Sequence, residues 1–421
     1  MAGTGQHIKK IWVYADWLGM DAPELMGLLQ AEQLRGREIF SFSYDAVWLE
    51  KKSSLLLDPD LGFYSGPQYN KEEKSNFGLF TDSSPDRWGR VLMERKEALI
   101  AKSENRKSKT LMESDYLLGV FDRYRMGGLR FKTDPDSHFL DTDNNMPAPP
   151  FTSIRTLEEA SLQLESEDVY ENIEFAKWLN LLLSPGASLG GARPKASVVD
   201  PKGDLWIAKF PSRNDKWDTG GWEAVVNVLG EKAGINIAKG NARRFTQSYH
   251  TFLTKRFDRN AGQRIHFASA MTLLGKTDGA DAASNVSYLD LAEFIMRHGA
   301  RPDTDLPELW RRIVFNICVS NSDDHLRNHG FLLTPKGWIL SPAYDVNPIP
   351  HSTGLNLNIS EHSNALDMEL AREVAEKFRV QQEQEKDIIE QVIKAVSHWQ
   401  DVAGKLGITR SEMERMESAF M

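Results

Sequence analysis

The chain has 421 residues, 41% hydrophobic and 26% charged, an ordinary globular balance with room for two or three domains and for a core that needs no covalent staples. Lys and Arg number 51 against 60 Asp and Glu, so the formal charge is −9 and nothing global draws the chain onto DNA or an anionic membrane. The single cysteine, Cys318, excludes an intrachain disulfide and fits a reducing cytoplasm; inside the apolar run 313–319 it reads as a buried small hydrophobe. No run of about 18 apolar residues is present, so no transmembrane helix is expected. Residues 1–10 are too polar for a signal peptide.

In chain order, two aromatic-rich alternating segments come first, at 11–17 and 38–44, and both read as strands with one buried face. Helical spacing takes over near Asp86 to Met93. The Asp-, Asn- and Pro-rich stretch 133–150 reads as a linker. A helix is expected over 156–183, broken by Ser184-Pro185-Gly186-Ala187-Ser188-Leu189-Gly190-Gly191. Short strands follow at 196–199 and 205–209, with a turn at 200–204, then a helix at 222–233 and a strand at 249–257. Helices dominate from about 285. The exception is Phe331 to Thr334, Pro335-Lys336-Gly337 and Trp338 to Leu340, which together carry a hairpin signature. The tail 365–421 has helical spacing with charged outer faces.

Polar residues crowd directly after the apolar run, in Asn321-Ser322-Asp323-Asp324-His325-Leu326-Arg327-Asn328. The hairpin then leads to Ser341-Pro342-Ala343-Tyr344-Asp345. Phosphoryl transfer asks for an aspartate that orients the attacking hydroxyl, and for an asparagine and a second aspartate as oxygen ligands to Mg2+. Asp323 and Asn328 stand five residues apart, and Asp345 lies 22 beyond Asp323, where a hairpin can return it to the loop. By itself a D-x-x-x-x-N spacing is common in capping turns. Two further features weigh against that reading. The small-residue loop 184–195 ends in Arg193 and Lys195, as a phosphate cradle for ATP would, and Lys209 lies on an apolar strand with Glu223 following on a helix. Loop, strand lysine, helix glutamate, helices, Asp/Asn loop, hairpin and Asp follow the order of a protein kinase.

On these residues the chain resembles the HipA family, bacterial serine/threonine kinases that act as toxins in toxin–antitoxin operons. The resemblance is carried by Ser188-Leu189-Gly190-Gly191-Ala192-Arg193-Pro194-Lys195, Lys255-Arg256-Phe257-Asp258-Arg259, Asp323 to Asn328 and Pro342-Ala343-Tyr344-Asp345. Phe42-Ser43-Tyr44 and Ser84-Pro85-Asp86-Arg87-Trp88 look like that family's extra N-terminal subdomain. The resemblance implies Asp323 as catalytic base, Asn328 and Asp345 as Mg2+ ligands, Lys209 on the ATP phosphates, and Lys255 to Phe257 as the adenine hinge. Ser188 would be the autophosphorylated loop serine, where about −1.5 to −2 added charges would repel ATP. His325 is expected to orient the loop. The eukaryotic G-x-G-x-x-G, His-Arg-Asp and Asp-Phe-Gly motifs are absent.

The expected fold is α+β: a mixed N-terminal subdomain over 1–145, a kinase small lobe over 146–257 and an all-helical large lobe over 258–421. The expected function is a cytoplasmic protein kinase, with a nucleotide-binding corepressor or a small-molecule kinase as alternatives. The expected partners are a helix-turn-helix antitoxin, through which DNA would be met indirectly, and a protein substrate such as a translation factor.

Overall fold

A computed structural model describes residues 8–51, 55–140, 149–165, 179, 182, 191, 193–246 and 249–421. The chain divides into two compact units, Met1–Leu205 with Asp258–Ala268, and Trp206–Phe257 with Ser269–Met421.

The first unit is built on the alternation read from the sequence. Strand β1 (Ile8–Ala15) buries Ile11, Val13 and Ala15, and β3 (Arg37–Tyr44) buries Phe40, Phe42 and Tyr44. Between them lies a strand absent from the sequence reading, β2 (Glu24–Leu34), antiparallel to both. Its alternation is blurred at Gly27, where a side chain would run into the Ser43 carbonyl and the Phe42 ring. With β4 (Gln68–Tyr69) and β5 (Leu129–Lys132) the sheet order is β4-β3-β2-β1-β5. The Phe42 ring meets Phe80, which meets Phe131, so aromatic contacts fill the buried face. The helix Arg87–Ser103 is N-capped by Asp86, whose Oδ1 accepts from the Gly89 amide at 2.9 Å.

The largest buried cation of this unit is paired with backbone carbonyls. The Arg125 guanidinium, fully buried, donates to the carbonyls of Ser83, Leu117 and Val120. It thereby replaces backbone partners that those irregular segments lack. Beyond the helix Ile154–Leu164, the rest of the helix expected to residue 183 falls mostly outside the described residues.

In the second unit β7 (Leu205–Lys209) and β8 (Gly240–Arg243) flank β9 (Thr251–Lys255) in antiparallel register; β6 (Lys195–Val199) belongs to the first unit. The helix Thr219–Lys232 begins at Asp218, which caps the Gly221 amide and also takes the His250 amide and ring. Gly220 has no room for a side chain, because a Cβ would stand 2.2 Å from the His250 carbonyl oxygen. Trp222 on this helix packs on Trp399 and Phe420 of the tail, and its indole donates to Glu412. That packing places the strand lysine segment and the helical tail in one unit, although the sequence reading assigned them to separate lobes.

The helix Pro302–Cys318 opens on a proline at its first position and buries an apolar face from Leu306 to Cys318. The expected hairpin forms as Gly330–Thr334 paired with Gly337–Leu340, so this unit is not purely helical at its C-terminal end. Helices Met368–Val374, Gln382–Val396, Trp399–Lys405 and Arg410–Met416 complete it. No helix among the described residues is long and apolar enough to cross a membrane.

His266, buried in the first unit, contributes stability that acid removes. His266 is 1% exposed, stacks on Trp17 with ring centroids 4.8 Å apart, and takes the Gly128 amide on Nδ1. Burial pushes its pKa down to about 3 from an ordinary 6.5. The unfolded chain therefore binds the proton first, and stability falls as pH drops from 6.5 towards 3. Between pH 7 and pH 4 this group is expected to contribute a loss of about 3 kcal/mol. His266→Phe keeps the stacking on Trp17 and should flatten that part of the stability profile, as read by urea denaturation at each pH.

Candidate active site

Lys209 closes β7 and is 5% exposed. Its ammonium donates to Glu223 Oε1 at 2.6 Å and to Asp345 Oδ1. Strand periodicity points the side chain inward, and Glu223 on the helix Thr219–Lys232 is itself 4% exposed. Burial alone disfavours the charge, but the two carboxylates more than offset it and hold Lys209 above the usual lysine range. The Phe252 ring lies 6.0 Å from the ammonium.

The polar loop begins where the helix Pro302–Cys318 ends. Ser320 takes a left-handed conformation at φ 48° and turns the chain. Asn328 closes the loop on itself: its amide nitrogen Nδ2 donates to the Asp323 carbonyl at 2.9 Å, and its backbone N–H to the His325 carbonyl at 2.8 Å. This orientation leaves Asn328 Oδ1 buried with no hydrogen-bond partner among the described residues. Asp323 and Asp324 face opposite ways. Asp323 is exposed, whereas Asp324 is 4% exposed and its Oδ2 accepts from Tyr288 Oη at 2.6 Å, Asn316 Nδ2 at 2.7 Å and His329 Nε2 at 2.8 Å. Burial would push Asp324 up, but His329 and Tyr288 overcome it and hold the carboxyl below its ordinary value. The Asp323 carboxyl is raised, first by protein on its inner side and then by the nearby Asp345 and Asp324 charges, with His325 opposing.

The hairpin returns the chain to this loop. The Arg312 guanidinium donates to the Ser341 carbonyl at 2.8 Å, and Ala343 exchanges backbone hydrogen bonds with Asn236 and Ala238. Tyr344 Oη then donates to the Arg327 carbonyl at 2.7 Å, so Asp345 and Asn328 each directly follow one partner of that bond. Asp345 is left-handed, at φ 57°. Aspartate tolerates that region better than most residues, and such backbone gathers at functional sites. A small cavity of about 10 Å³, room for roughly one water, opens under the loop between Asn316, Asp324, Asn328, His329 and Tyr344.

The structure thus brings together Lys209, Glu223 and Asp345 by direct contact, and Asp323, Asn328 and Asp345 by the paired loops. The donors are hard oxygens, Asn328 Oδ1 and the Asp345 carboxylate, of the kind Mg2+ takes. Among the described residues no cluster of three or more His, Cys, Asp or Glu side chains is placed to hold a metal unaided. The Phe257 ring packs on Tyr344 with centroids 5.4 Å apart, at the end of β9, and Arg256 beside it is buried. Lys255 donates its backbone N–H to the Lys239 carbonyl.

Lys195 has a different environment in the first unit. Its ammonium lies 2.9 Å from Asp86 Oδ2 and 3.1 Å from the Gly191 carbonyl, and both side chains are buried. Gly191 and Arg193 belong to that unit as well, while Ser188, Leu189, Gly190 and Ala192 lie outside the described residues. The His325 backbone helps to close the turn, but its ring Nδ1 has no partner among the described residues. The side chain that ties the loop to the core is Asp324, which the sequence reading passed over. Its signal in the sequence was the buried-looking asparagine Asn316 inside an otherwise apolar helix, since an unpaired amide there would be costly.

The chain spans 97% of its length against the HipA–HipB–operator DNA complex of the Shewanella oneidensis toxin–antitoxin system, covering 94% of that chain at a TM-score of 0.63 and 14% identity. That similarity establishes a HipA-like, kinase-like α+β fold. Two curated relatives are "Putative kinase Y4mE" of Sinorhizobium fredii, 29% identical over 182 residues, and a "Putative kinase" of Haemophilus influenzae, 36% identical over 112 residues. These matches take in 38% and 24% of this chain, and span 41% and 32% of the relatives' own lengths. The sequence profile described as the HipA-like C-terminal domain matches residues 187–399, half of the chain and the whole of the loop–hairpin–Asp345 region. The chain belongs to the HipA-like family.

Proposed function

We propose that this protein is a serine/threonine protein kinase that transfers the γ-phosphate of ATP to a protein hydroxyl. The observation that carries this reading is Lys209, a buried cation held between Glu223 on a helix and Asp345 on the loop after the hairpin. A phosphate-binding lysine needs such fixing, and the lysine–glutamate pair recurs in protein kinases. Asn328 and Asp345 are the residues that would hold Mg2+, which when bound spreads and neutralises charge on the phosphates. Asp323, exposed and raised above the ordinary carboxylate range, would take the proton of the attacking hydroxyl. The hydroxyl oxygen then bonds to the γ-phosphorus, the bond to the bridging oxygen breaks, and ADP leaves with that electron pair. Phe257 and its neighbours Lys255 and Arg256 end β9 where a nucleotide base would meet the hinge.

The finer assignments rest on resemblance. A growth-inhibiting toxin role, cytoplasmic location and control by phosphorylation at Ser188 follow the family pattern, as does a translation factor as substrate. The similar Shewanella oneidensis structure contains HipB and operator DNA, which supports an antitoxin partner here and DNA contact through it.

Two measurements test the kinase reading. Asp323→Ala should reduce transfer of labelled phosphate by about 10²–10⁴-fold, the usual worth of a general base, with little change in melting temperature because Asp323 is exposed. Transfer at the wild-type rate would remove Asp323 from the chemistry. Nucleotide binding by the wild type with no transfer to any protein would support the corepressor reading instead. Lys209→Ala leaves Glu223 and Asp345 facing each other without their cation. It should cost about 3–5 kcal/mol of stability as well as activity, measured by denaturant unfolding beside Asp323→Ala.

A further inference from the structure

We infer that Asn316 and Asn321 are positioning residues that hold the Asp345 loop in register with the Asp323 turn; this rests on the kinase reading above. Both side chains are buried, Asn316 at 3% and Asn321 at 0% exposure, and neither touches the surface where chemistry would occur. Asn316 sits on the helix Pro302–Cys318 between Phe315 and Ile317. Its Nδ2 donates to Asp324 Oδ2 at 2.7 Å, and its Oδ1 accepts from Asn321 Nδ2 at 3.1 Å. Asn321 Oδ1 accepts in turn from the Asn347 backbone N–H at 3.1 Å. Asn347 Nδ2 reaches Asp345 Oδ1 at 3.4 Å. One continuous chain therefore runs from the neighbour of Asp323 to Asp345.

The direction of that chain is fixed at both ends. The Asp324 carboxylate only accepts, and a backbone N–H only donates. Between them each asparagine has one orientation that satisfies both neighbours, and turning either amide over would set donor against donor or oxygen against oxygen. Two buried amides are an expensive way to fill an apolar helix end, and satisfied polar networks of this kind specify a single arrangement. What they specify here is the offset between two loops that both turn through left-handed residues, Ser320 and Asp345. The Ile349 backbone N–H on the Ser320 carbonyl at 3.2 Å and Tyr344 Oη on the Arg327 carbonyl are further ties between the same segments. Partners of metal ligands usually matter about 10–100-fold in metal affinity or activity.

The test uses Asn316→Ala, Asn321→Ala and Asn347→Ala in the full chain. In each, the Mg2+ concentration for half-maximal transfer should rise, by about 10–100-fold for Asn316→Ala and Asn321→Ala and less for Asn347→Ala. The gain in nucleotide affinity that Mg2+ confers should shrink in parallel, while ADP binding without Mg2+ stays near wild type. In metal-free, nucleotide-free protein, amide exchange over 344–349 should speed up in Asn321→Ala. A packing role alone would lower the melting temperature and leave the Mg2+ response unmoved, and that result overturns the inference. Should the two buried variants not fold, Asn321→Ser, which keeps a polar group at the position but is too short to span both the Asn316 Oδ1 and the Asn347 N–H bonds, decides it by the same Mg2+ response. Asp323→Ala separates the two claims. Loss of transfer there with a wild-type Mg2+ response in the asparagine variants sinks only the positioning role; full transfer there sinks the kinase reading.

Discussion

A lysine ammonium removed from water must find anions, and in this protein that demand falls on Lys209. Its pairing with Glu223 and Asp345 requires β7, the helix Thr219–Lys232 and the loop after the hairpin to be correctly placed at once. Removing the lysine would leave two carboxylates without their cation, which costs more than the pairing contributes. The cluster is thus a joint between elements distant in sequence. It also holds two carboxylates for one ammonium, and the residual negative charge is the electrostatic opening a divalent cation would answer.

Around that joint the polar loop divides its labour between adjacent residues. Asp324 is sunk into the helical core and pinned by three donors, while Asp323 is turned outward. The buried partner supplies rigidity so that the exposed one can hold a defined direction without being desolvated to neutrality. Tyr344 and Arg312 do the same for the returning strand, each closing on a backbone carbonyl. Preorganisation of this sort lets positioned groups act without reorganising when a substrate arrives.

The first unit follows the same rule with other residues. Asp86 both caps the helix Arg87–Ser103 and accepts from the buried Lys195, and Arg125 satisfies three carbonyls where the chain has no regular partner. Lys195 looked like a phosphate-facing cation because it closes a small-residue loop. Sequence spacing cannot reveal that a carboxylate more than one hundred residues earlier holds it. The same limit applies to β2: its strand character is legible only once β1 and β3 stand on either side of Gly27.

Local patterning determined most elements by itself. Period-two alternation marked β1 and β3, and turn residues marked the hairpin at Gly330–Thr334 and Gly337–Leu340. The order of lysine, glutamate, Asp/Asn loop and aspartate was equally open to reading, because chemistry needs those residue types and their sequence order survives folding. Tertiary structure decided the rest: which carboxylates reach Lys209, which of two adjacent aspartates is buried, and that Asn316 and Asn321 link the two loops. Those outcomes depend on which groups lose water on folding and must find partners, and that is settled only when distant segments close upon one another.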